Sequence, residues 1–462
     1  MKGVLMRVLL VNPPAPFSYY SLGIRRPPLG LAYIASVLQN HHEVKIVDFS
    51  VERHDWSRYS YRQYDVVGIS VDTPRYLVSL RIARLAKDQG AVVVMGGPHV
   101  SFLDSDALKS GTVDYVVRNE GEYAFLSLIN FLSKKIPFED VNGVSYLTNG
   151  ELSRTPDARL PCDLDSLPFP ARRLLPLQLY RENREKAVGR LMTTLITSRG
   201  CPFNCHFCSS SHFFGGRWRA RSVQSILEEI ELLHEEYNYR ALIFVDDNFT
   251  LDPGRAVRLS ESIVRRGWDL AWGTMSRVDD ITRNPDMVRI MARAGFRWTF
   301  LGFESGTQDV LNAYGKKAMV ENGPRAMEIL RENDVRVTGS FILGALNETR
   351  DMIKQTISLA KLLNPARAQF SILTPYPGTR LYEEVKDRLL TRNWDIYTGV
   401  HPTIKLRHLS PEELGRLLIM AYLSFYGRPK KAFECMPSLY KVIPNIIRPT
   451  TVNPSLSGGI MQ

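Results

Sequence analysis

Cysteine is scarce in this sequence, and its distribution excludes one class of protein. The 462 residues contain five cysteines, and residues 1–161 contain none of them. A small secreted domain held by disulfides spreads an even number of cysteines along its chain. Cys201, Cys205 and Cys208 instead fall within eight residues, and the other two stand alone. This clustering indicates a metal site.

Long apolar runs are also missing. No run approaches the roughly 18 residues that a membrane-spanning helix needs. The run Val8–Val11 is too short for the core of a secretory signal, and no small-residue cleavage site follows it. These features predict a cytoplasmic protein without a membrane span.

A concentrated basic segment is lacking as well. The net charge is +11 at pH 7, but Lys and Arg are spread along the chain. No nucleic-acid-binding module is recognisable. We therefore expect a small-molecule substrate rather than nucleic acid.

Five short runs rich in β-branched residues alternate with helical patterns in the first third of the chain. Each run ends in turn residues, as buried parallel strands do. The pattern predicts an α/β fold with a doubly wound, Rossmann/flavodoxin-like parallel sheet of order 2-1-3-4-5, whose ligands bind at the carboxyl ends of the strands. The predicted strands are 8–11, 44–47, 66–69, 91–95 and 115–117, and the predicted helices are 29–38, 77–86 and 124–132.

Cys201, Cys205 and Cys208 have the spacing C-x3-C-x2-C after a strand-like run. Three thiolates in one loop can bind three irons of a [4Fe–4S] cluster and leave the fourth iron open to a substrate, whereas electron-transfer clusters use four cysteines. A structural zinc site also takes four protein ligands, and His206 inside the loop could complete it. Zinc with His206, or three inert thiols, are the alternatives to the cluster.

The cysteine loop resembles that of the radical S-adenosylmethionine (SAM) superfamily, and most of residues 1–430 resemble its class with an N-terminal cobalamin-binding domain. The segments that carry the second resemblance are Asn12-Pro13-Pro14, Pro27-Pro28-Leu29-Gly30-Leu31, Gly96-Gly97-Pro98-His99 and Gly121-Glu122. The family implies a partial (β/α)6 radical SAM barrel after the cysteines, and the strand-like runs agree. These runs are 193–198, 242–245, 270–274, 298–301, 337–342 and 370–373, with a helix predicted at 222–236.

The resemblance implies that SAM binds at the carboxyl ends of the barrel strands. Asp246, Asp247 and Asn248 are the candidates for holding its amino group, and Arg219, Arg221 and Arg277 those for facing its carboxylate. Glu304, with Ser305 beside it, is placed to accept hydrogen bonds from the ribose hydroxyls. Gly344 would let the backbone approach the adenine. The alternative for each charged residue is a solvated loop or a surface ion pair.

The same resemblance implies that cobalamin would bind at the strand ends of the N-terminal sheet. The candidate residues are Asn12, Ser70, Thr73, Gly96, Gly97 and Glu120. Corrinoid domains that bind cobalt through histidine often carry Asp-x-His-x-x-Gly after the first strand, and residues 12–17 contain no histidine. Many cobalamin-dependent members of the class lack this motif too, so its absence does not decide whether cobalamin binds. We interpret His99 as a loop residue rather than a ligand.

Four regions follow from these patterns: a cobalamin-binding-like domain at 1–150, a linker rich in Pro and Arg at 151–190, the barrel at 191–390, and a helical C-terminal region at 391–462. Ser410-Pro411-Glu412-Glu413 predicts a helix start. The apolar residues after it recur at helical spacing and predict a helix that covers the barrel mouth. Residues 445–462 are expected to form a loose end.

The predicted function is that of a radical SAM enzyme. A [4Fe–4S] cluster, reduced by an external donor of the flavodoxin or ferredoxin type, would cleave SAM, and the 5′-deoxyadenosyl radical would remove hydrogen from a small molecule. Cobalamin-dependent C-methylation in a biosynthetic pathway is the first interpretation. The alternatives are a cobalamin-independent dehydratase or deoxygenase acting on a sugar-like diol, and a ring-forming or rearranging enzyme. A non-enzymatic carrier is disfavoured by the complete barrel pattern.

Overall fold

The computed structural model describes residues 4–14, 26–52, 54–180, 184–185, 189–429 and 431. The sequence predictions for residues 15–17 and 445–462 fall outside these described residues, as does Cys435. Among the described residues, no helix is long and apolar enough to cross a membrane.

The N-terminal sheet has seven strands. They are β1 (Arg7–Asn12), β2 (Glu43–Asp48), β3 (Val66–Ser70), β4 (Val92–Gly96), β5 (Tyr115–Val117), β6 (Val144–Thr148) and β7 (Glu151–Arg154). Their order is β2-β1-β3-β4-β5-β6-β7, and the first five are parallel, which confirms the predicted order 2-1-3-4-5. The helices of this region are α1 (Leu29–Leu38), α2 (Tyr76–Asp88), α3 (Asp104–Lys109) and α4 (Gly121–Leu132).

Both faces of this sheet are covered, which explains the unbroken apolar runs of its strands. Leu9 and Val11 of β1 pack into one buried cluster, and Val8 and Leu10 pack into another, with at most 1% of each residue exposed. A strand buried on both sides needs apolar residues at every position rather than at alternate ones.

The sequence analysis missed the antiparallel hairpin formed by β6 and β7. Thr148 pairs with Glu151, and the two residues between them, Asn149 and Gly150, have φ angles of 52° and 82°. Two consecutive left-handed residues make the tight turn that suits the twist of a hairpin, and Asn-Gly is its strongest sequence signal. The signal was therefore present in the sequence.

The second sheet forms the partial barrel. Its strands are β8 (Arg184–Glu185), β9 (Arg190–Leu195), β12 (Ala241–Phe244), β13 (Ala271–Arg277), β14 (Phe296–Glu304), β15 (Arg336–Leu343) and β16 (Arg367–Ile372), and a separate ribbon contains β10 (Ser198–Arg199) and β11 (Arg219–Ala220). The order β16-β15-β14-β13-β12-β9-β8, parallel except for β8, confirms the six predicted barrel strands.

The remaining helices include one in the linker, those that follow the barrel strands, as the family resemblance implied, and the C-terminal helix. They are α5 (Leu177–Tyr180), α6 (Ser210–Phe213), α7 (Val223–Glu235), α8 (Pro253–Arg265), α9 (Val278–Arg283), α10 (Pro285–Arg293), α11 (Gln308–Ala313), α12 (Asn322–Glu332), α13 (Arg350–Leu363), α14 (Arg380–Val385) and α15 (Pro411–Tyr426). Helix α7 matches the helix predicted at 222–236, with Ser222 as its cap.

The linker between the sheets is anchored to both of them. The Tyr180 hydroxyl donates to Asp48 at the end of β2. Arg172 donates to the Thr194 carbonyl of β9 and ion-pairs with Glu229 of α7, with an N–O distance of 2.9 Å, and both charged side chains are almost fully buried. Buried charges need such partners because water no longer solvates them. The linker therefore fixes one domain against the other.

The C-terminal helix α15 begins as predicted, because the Ser410 hydroxyl accepts a hydrogen bond from the Glu413 amide. Its first turn lies near the carboxyl end of β15, since a Cβ on Gly344 would lie 2.8 Å from Leu414. Its later turns lie along the edge strand β16. There the Tyr422 hydroxyl donates to the Phe370 carbonyl at 2.9 Å and accepts from the Phe370 amide at 3.2 Å. The helix thus satisfies backbone groups that an open sheet edge would leave unpaired.

Replacing Tyr422 with Phe removes this hydroxyl from a buried site, so the edge strand loses both hydrogen bonds. We expect Tyr422→Phe to lower the free energy of unfolding by about 1–3 kcal/mol. Chemical denaturation of the cluster-free protein measures it. Tyr123→Phe, at a residue that is 41% exposed, is the matched control and should change little. Equal stability of the two variants would contradict the proposed contribution of the Tyr422 hydroxyl.

Candidate active site

The three cysteines lie in a loop whose base is the ribbon of β10 and β11. Gly200 follows β10 with φ of 82°, and a Cβ there would lie 2.1 Å from the Arg217 carbonyl oxygen, so the close approach of the two loop ends requires glycine. The Gly200 amide donates to Asp247 at 3.0 Å. The loop entrance is therefore fixed immediately before Cys201.

The cysteines are free thiols with little contact with water. Cys205 is buried, and Cys201 and Cys208 are half-buried. Burial raises the pKa of the Cys201 thiol and raises that of Cys208 to about 11. Thiolates in this environment need compensating positive charge, which iron supplies. The donor set therefore fits a cluster bound by three cysteines.

The His206 side chain contacts a glutamate, Glu384, which argues against His206 as a fourth zinc ligand. Its Nε2 lies 2.8 Å from Glu384 Oε2, and its backbone amide donates to the Tyr314 carbonyl. Among the described residues, no three Cys, His, Asp or Glu side chains are grouped to hold a single metal ion. A cluster places a different demand on the loop, because each thiolate binds a separate iron.

The three residues after β12 serve different local purposes. Asp246 accepts hydrogen bonds from the Thr197 amide at 2.7 Å and the Ser198 hydroxyl at 2.6 Å, so it fixes the chain that leads into the cysteine loop. The Asn248 amide donates to Asp280 at 3.0 Å. Asp247 is the member of this group that contacts the loop itself, and burial raises the pKa of its carboxyl group.

The three candidate arginines have different partners. Arg221 ion-pairs with Glu229 of α7, and Arg219 ion-pairs with Glu120 of the N-terminal domain. Arg277 lies against the cysteine loop: its guanidinium carbon is 3.8 Å from the centre of the Phe203 ring, and it donates to the Lys316 carbonyl. The structure therefore brings Arg277 next to the cysteines and occupies the other two arginines with glutamates.

Glu304 at the end of β14 has a left-handed backbone with φ of 63° and ion-pairs with Lys316. A Cβ on Gly302 would lie 2.2 Å from the Glu304 carboxylate, so this side chain folds back over its own strand. Ser305 bonds with Thr307 and Thr356 and shapes the following turn. The sequence analysis missed Lys316, since nothing in its local pattern distinguishes it from a surface lysine.

A cavity of about 290 Å³ adjoins the cysteine loop. Its walls include His206, Tyr314 and Glu348. The Glu348 carboxylate accepts hydrogen bonds from the amides of Gly344 and Ala345 through one oxygen, whereas its other oxygen and the Tyr314 hydroxyl have no hydrogen-bond partner among the described residues. Burial raises the pKa of Glu348 to about 7. Both unpaired atoms are buried within the protein, so each is a local cost rather than a contact exposed to a ligand.

A second cavity, of about 230 Å³, lies at the carboxyl edge of the N-terminal sheet. It is lined by four of the predicted cobalamin-binding residues: Ser70, Gly96, Gly97 and Glu120. A Cβ on Gly97, whose φ is 110°, would lie 2.7 Å from the Val71 carbonyl oxygen, so the wall there depends on glycine. The apolar cavity lies between strand ends, at the edge where open parallel sheets bind their ligands.

The other two predicted residues do not line this second cavity. Asn12 donates to Asp48 at 2.7 Å, and Thr73 contacts His99, with 3.2 Å between the Thr73 hydroxyl and Nδ1. His99 is buried between Tyr76 and Trp394, and burial lowers its pKa to about 3. His99 also lies outside the cavity lining.

Comparison with known proteins identifies both halves of the chain. A model of the radical SAM superfamily matches residues 195–360, and a model of the B12 binding domain matches residues 21–129. A protein named uncharacterized methyltransferase PH0819, from Pyrococcus horikoshii, is 39% identical over 92% of this chain and 94% of its own length. The hopanoid C-3 methylase of Methylococcus capsulatus is 29% identical over 89% of this chain and 79% of its own length.

A further relative is named for a different activity, and a solved structure shares the overall fold. The anaerobic magnesium-protoporphyrin IX monomethyl ester cyclase of Rubrivivax gelatinosus is 28% identical over 94% of this chain and 79% of its own length. The structure of the cobalamin-dependent SAM radical enzyme OxsB with aqua-cobalamin bound has a TM-score of 0.72 at 18% identity, covering 89% of this chain and 66% of that one.

Cys205 would bind one iron of the cluster through its thiolate, so its loss should remove one iron position of the site. We expect Cys205→Ala, after anaerobic reconstitution with iron and sulfide, to retain far less iron than the wild type and to lose its broad visible absorption. Cys162→Ala, at an exposed cysteine, is the control and should reconstitute normally. Normal iron content in Cys205→Ala would refute the assignment of the loop.

Glu348 predicts a pH effect on stability. Its carboxyl group has a pKa of about 7 when folded, above the unfolded value of 4.5, so its penalty appears as pH rises through that window and is fully present above it. Glu348→Gln should therefore stabilise the cluster-free protein more at pH 8 than at pH 5.5, by about 2 kcal/mol. Melting temperatures of both proteins at the two pH values measure this. A wild-type-to-variant difference that is the same at both pH values would contradict it.

Proposed function

The chain belongs to the radical SAM superfamily, in the class with a B12-binding domain, and we propose that it methylates a carbon atom of a small-molecule substrate. It is an enzyme, and its cofactors are a [4Fe–4S] cluster, SAM and cobalamin. The observation that carries the proposal is the placement of two cavities, one at each sheet's carboxyl edge: one includes His206 of the cysteine loop, and the other includes Arg199, which precedes that loop.

When bound, the cluster and SAM supply a 5′-deoxyadenosyl radical that removes hydrogen from carbon, and cobalamin supplies the methyl group. The chain supplies the binding surfaces. Cys201, Cys205 and Cys208 would hold the cluster. We propose that Asp247 and Arg277, which lie against the cysteine loop, face the amino and carboxylate groups of SAM.

The remaining SAM contacts are proposed from the barrel strand ends. Glu304 is held by Lys316 with its carboxylate folded over β14, where it can accept hydrogen bonds from ribose hydroxyls. The cavity beside His206 would take the adenine, next to the predicted Gly344. Buried walls of this kind also exclude water from the reacting groups.

The N-terminal cavity is proposed to take cobalamin through Ser70, Gly96, Gly97 and Glu120. Asn12 and Thr73 would act from behind this wall, because their side chains are hydrogen-bonded to Asp48 and His99.

Five further candidates would support the site through their neighbours rather than by direct contact with a cofactor. They are Asp246, Asn248, Arg219, Arg221 and Ser305. A reductant must supply electrons, and a flavodoxin or ferredoxin is proposed for that role. Cytoplasmic location stays a prediction.

Ring formation is the second candidate, because relatives from three organisms are named anaerobic magnesium-protoporphyrin IX monomethyl ester cyclase. It shares the radical step with methylation but leaves no methyl group on the cobalamin. Relatives named as a methyltransferase and a methylase, one of them the 39% identical protein, favour methylation. Dehydration of a diol would likewise share the radical step and leave no methyl group on the cobalamin.

The two chemistries can be separated before the substrate is known. We would incubate the reconstituted enzyme with hydroxocobalamin, Ti(III) citrate and SAM carrying a deuterated methyl group. Methylation predicts a deuterated methyl group recovered on the cobalamin, together with S-adenosylhomocysteine. Formation of 5′-deoxyadenosine with no label on the cobalamin would overturn methylation and favour ring formation or dehydration.

A further inference from the structure

The base of the cysteine loop meets the N-terminal domain at a cluster of four charged residues. Arg199 of β10 and Arg219 of β11 are direct partners in the antiparallel ribbon that closes the loop. Glu120 precedes helix α4, and Glu122 lies in its first turn. We call these four residues the junction cluster. It joins the two halves of the molecule at the point where the cysteine loop begins and ends.

The contacts within the junction cluster are short, and Arg199 and Glu120 each bridge two partners. One guanidinium nitrogen of Arg199 lies 2.6 Å from Glu120, and the other lies 2.6 Å from Glu122. Arg219 ion-pairs with the second oxygen of Glu120 and donates to the Pro161 carbonyl at 2.8 Å. The Arg199 guanidinium also lies 5.0 Å from the centre of the Tyr33 ring of α1.

The two glutamates stabilise this arrangement of the ribbon. Like charges directly opposite each other on paired strands repel, and both arginine side chains are more than nine-tenths buried. A buried charge without a partner costs several kcal/mol. Two carboxylates neutralise two guanidiniums here, and the carboxylates belong to the other domain. The closed form of the cysteine loop therefore depends on helix α4 being in place.

The junction cluster also forms part of the wall of the N-terminal cavity. Glu120, Glu122 and Arg199 line it, together with Phe213 and Phe214 from the segment that follows the cysteines. A Cβ on Gly121 would lie 2.9 Å from Ile34, so the start of α4 is packed tightly against α1. The same side chains thus face the cavity on one side and fix the cysteine loop on the other.

We propose that Glu120 and Glu122 are positioning residues that couple the N-terminal cavity to the cysteine loop, so that occupation of the cavity by cobalamin and assembly of the cluster favour each other. The inference rests on the proposed function in taking cobalamin as the occupant of this cavity. Neither glutamate is assigned a role in the reaction itself. They act by holding Arg199 and Arg219, and through them the loop.

Coupling of this kind is reciprocal and can be measured by binding. If the cluster strengthens cobalamin binding by some factor, cobalamin strengthens retention of the cluster by the same factor. The factor is the ratio of two cobalamin dissociation constants, for cluster-free and cluster-loaded protein. Because both constants come from the same variant, any direct effect of a substitution on the cavity wall cancels in the ratio.

The experiment measures hydroxocobalamin binding anaerobically, with and without the reconstituted cluster, in wild type and in Glu122→Gln. We expect a ratio of about five or more in the wild type and a ratio near one in the variant. Asp157→Asn is the matched control: Asp157 also pairs with an arginine, Arg118 of the N-terminal domain, at 2.8 Å, but is 83% exposed and outside the junction cluster. The control should keep the wild-type ratio.

The outcomes separate this inference from the proposed function. Wild-type protein that binds no cobalamin in either state would refute the cobalamin-dependent function. Binding with a ratio near one in the wild type, or with an unchanged ratio in Glu122→Gln, would refute the coupling alone.

A second readout covers a variant that is merely less stable. The rate of iron loss to a chelator should slow when hydroxocobalamin is added to the wild type. In Glu122→Gln, with hydroxocobalamin at a concentration that saturates the variant, the same addition should have little effect, even if the starting rates differ. Slowing by the wild-type factor in this variant would overturn the proposal.

Discussion

The closed geometry of the cysteine loop is the constraint on which the other features of the site depend. Three thiols must face one small volume, and the loop that carries them has little structure of its own. Asp246 and Asp247 of the barrel accept hydrogen bonds from the chain that enters the loop. The loop closes at Gly200, where a side chain would not fit. It is held from the side by Glu120 of the N-terminal domain. The barrel alone supplies part of this support, and the neighbouring domain supplies the rest.

Much of the fold could be predicted because its signals are local. The unbroken apolar runs gave the parallel order of the first five strands, and the helix 29–38 was placed with its observed bounds. The six barrel strands were found in the same way, although β14 extends to Phe296 and Glu304. The hairpin of β6 and β7 was missed despite the turn signal Asn149-Gly150. The helix at the C-terminus was predicted, but its packing along the edge strand was not.

The candidate site was less predictable, because residue type does not reveal which hydrogen-bond or ion-pair partner a side chain has in the fold. Asp246 and Asp247 are adjacent in sequence, yet one fixes a strand and the other contacts the cysteine loop. Arg219 and Arg277 looked equivalent, yet one is neutralised by a glutamate 99 positions away. Lys316 and Glu348 were not singled out, because pairing and burial brought about by the fold give them their character.

Metal content tests the central claim most directly. The protein would be purified anaerobically with iron, sulfide and hydroxocobalamin, desalted, and analysed for iron and cobalt. The account predicts about four irons and about one cobalt per chain, held together after desalting. Iron without cobalt would contradict the cobalamin-dependent account and leave the N-terminal cavity without its proposed ligand. Absence of iron would contradict the assignment of the cysteine loop itself.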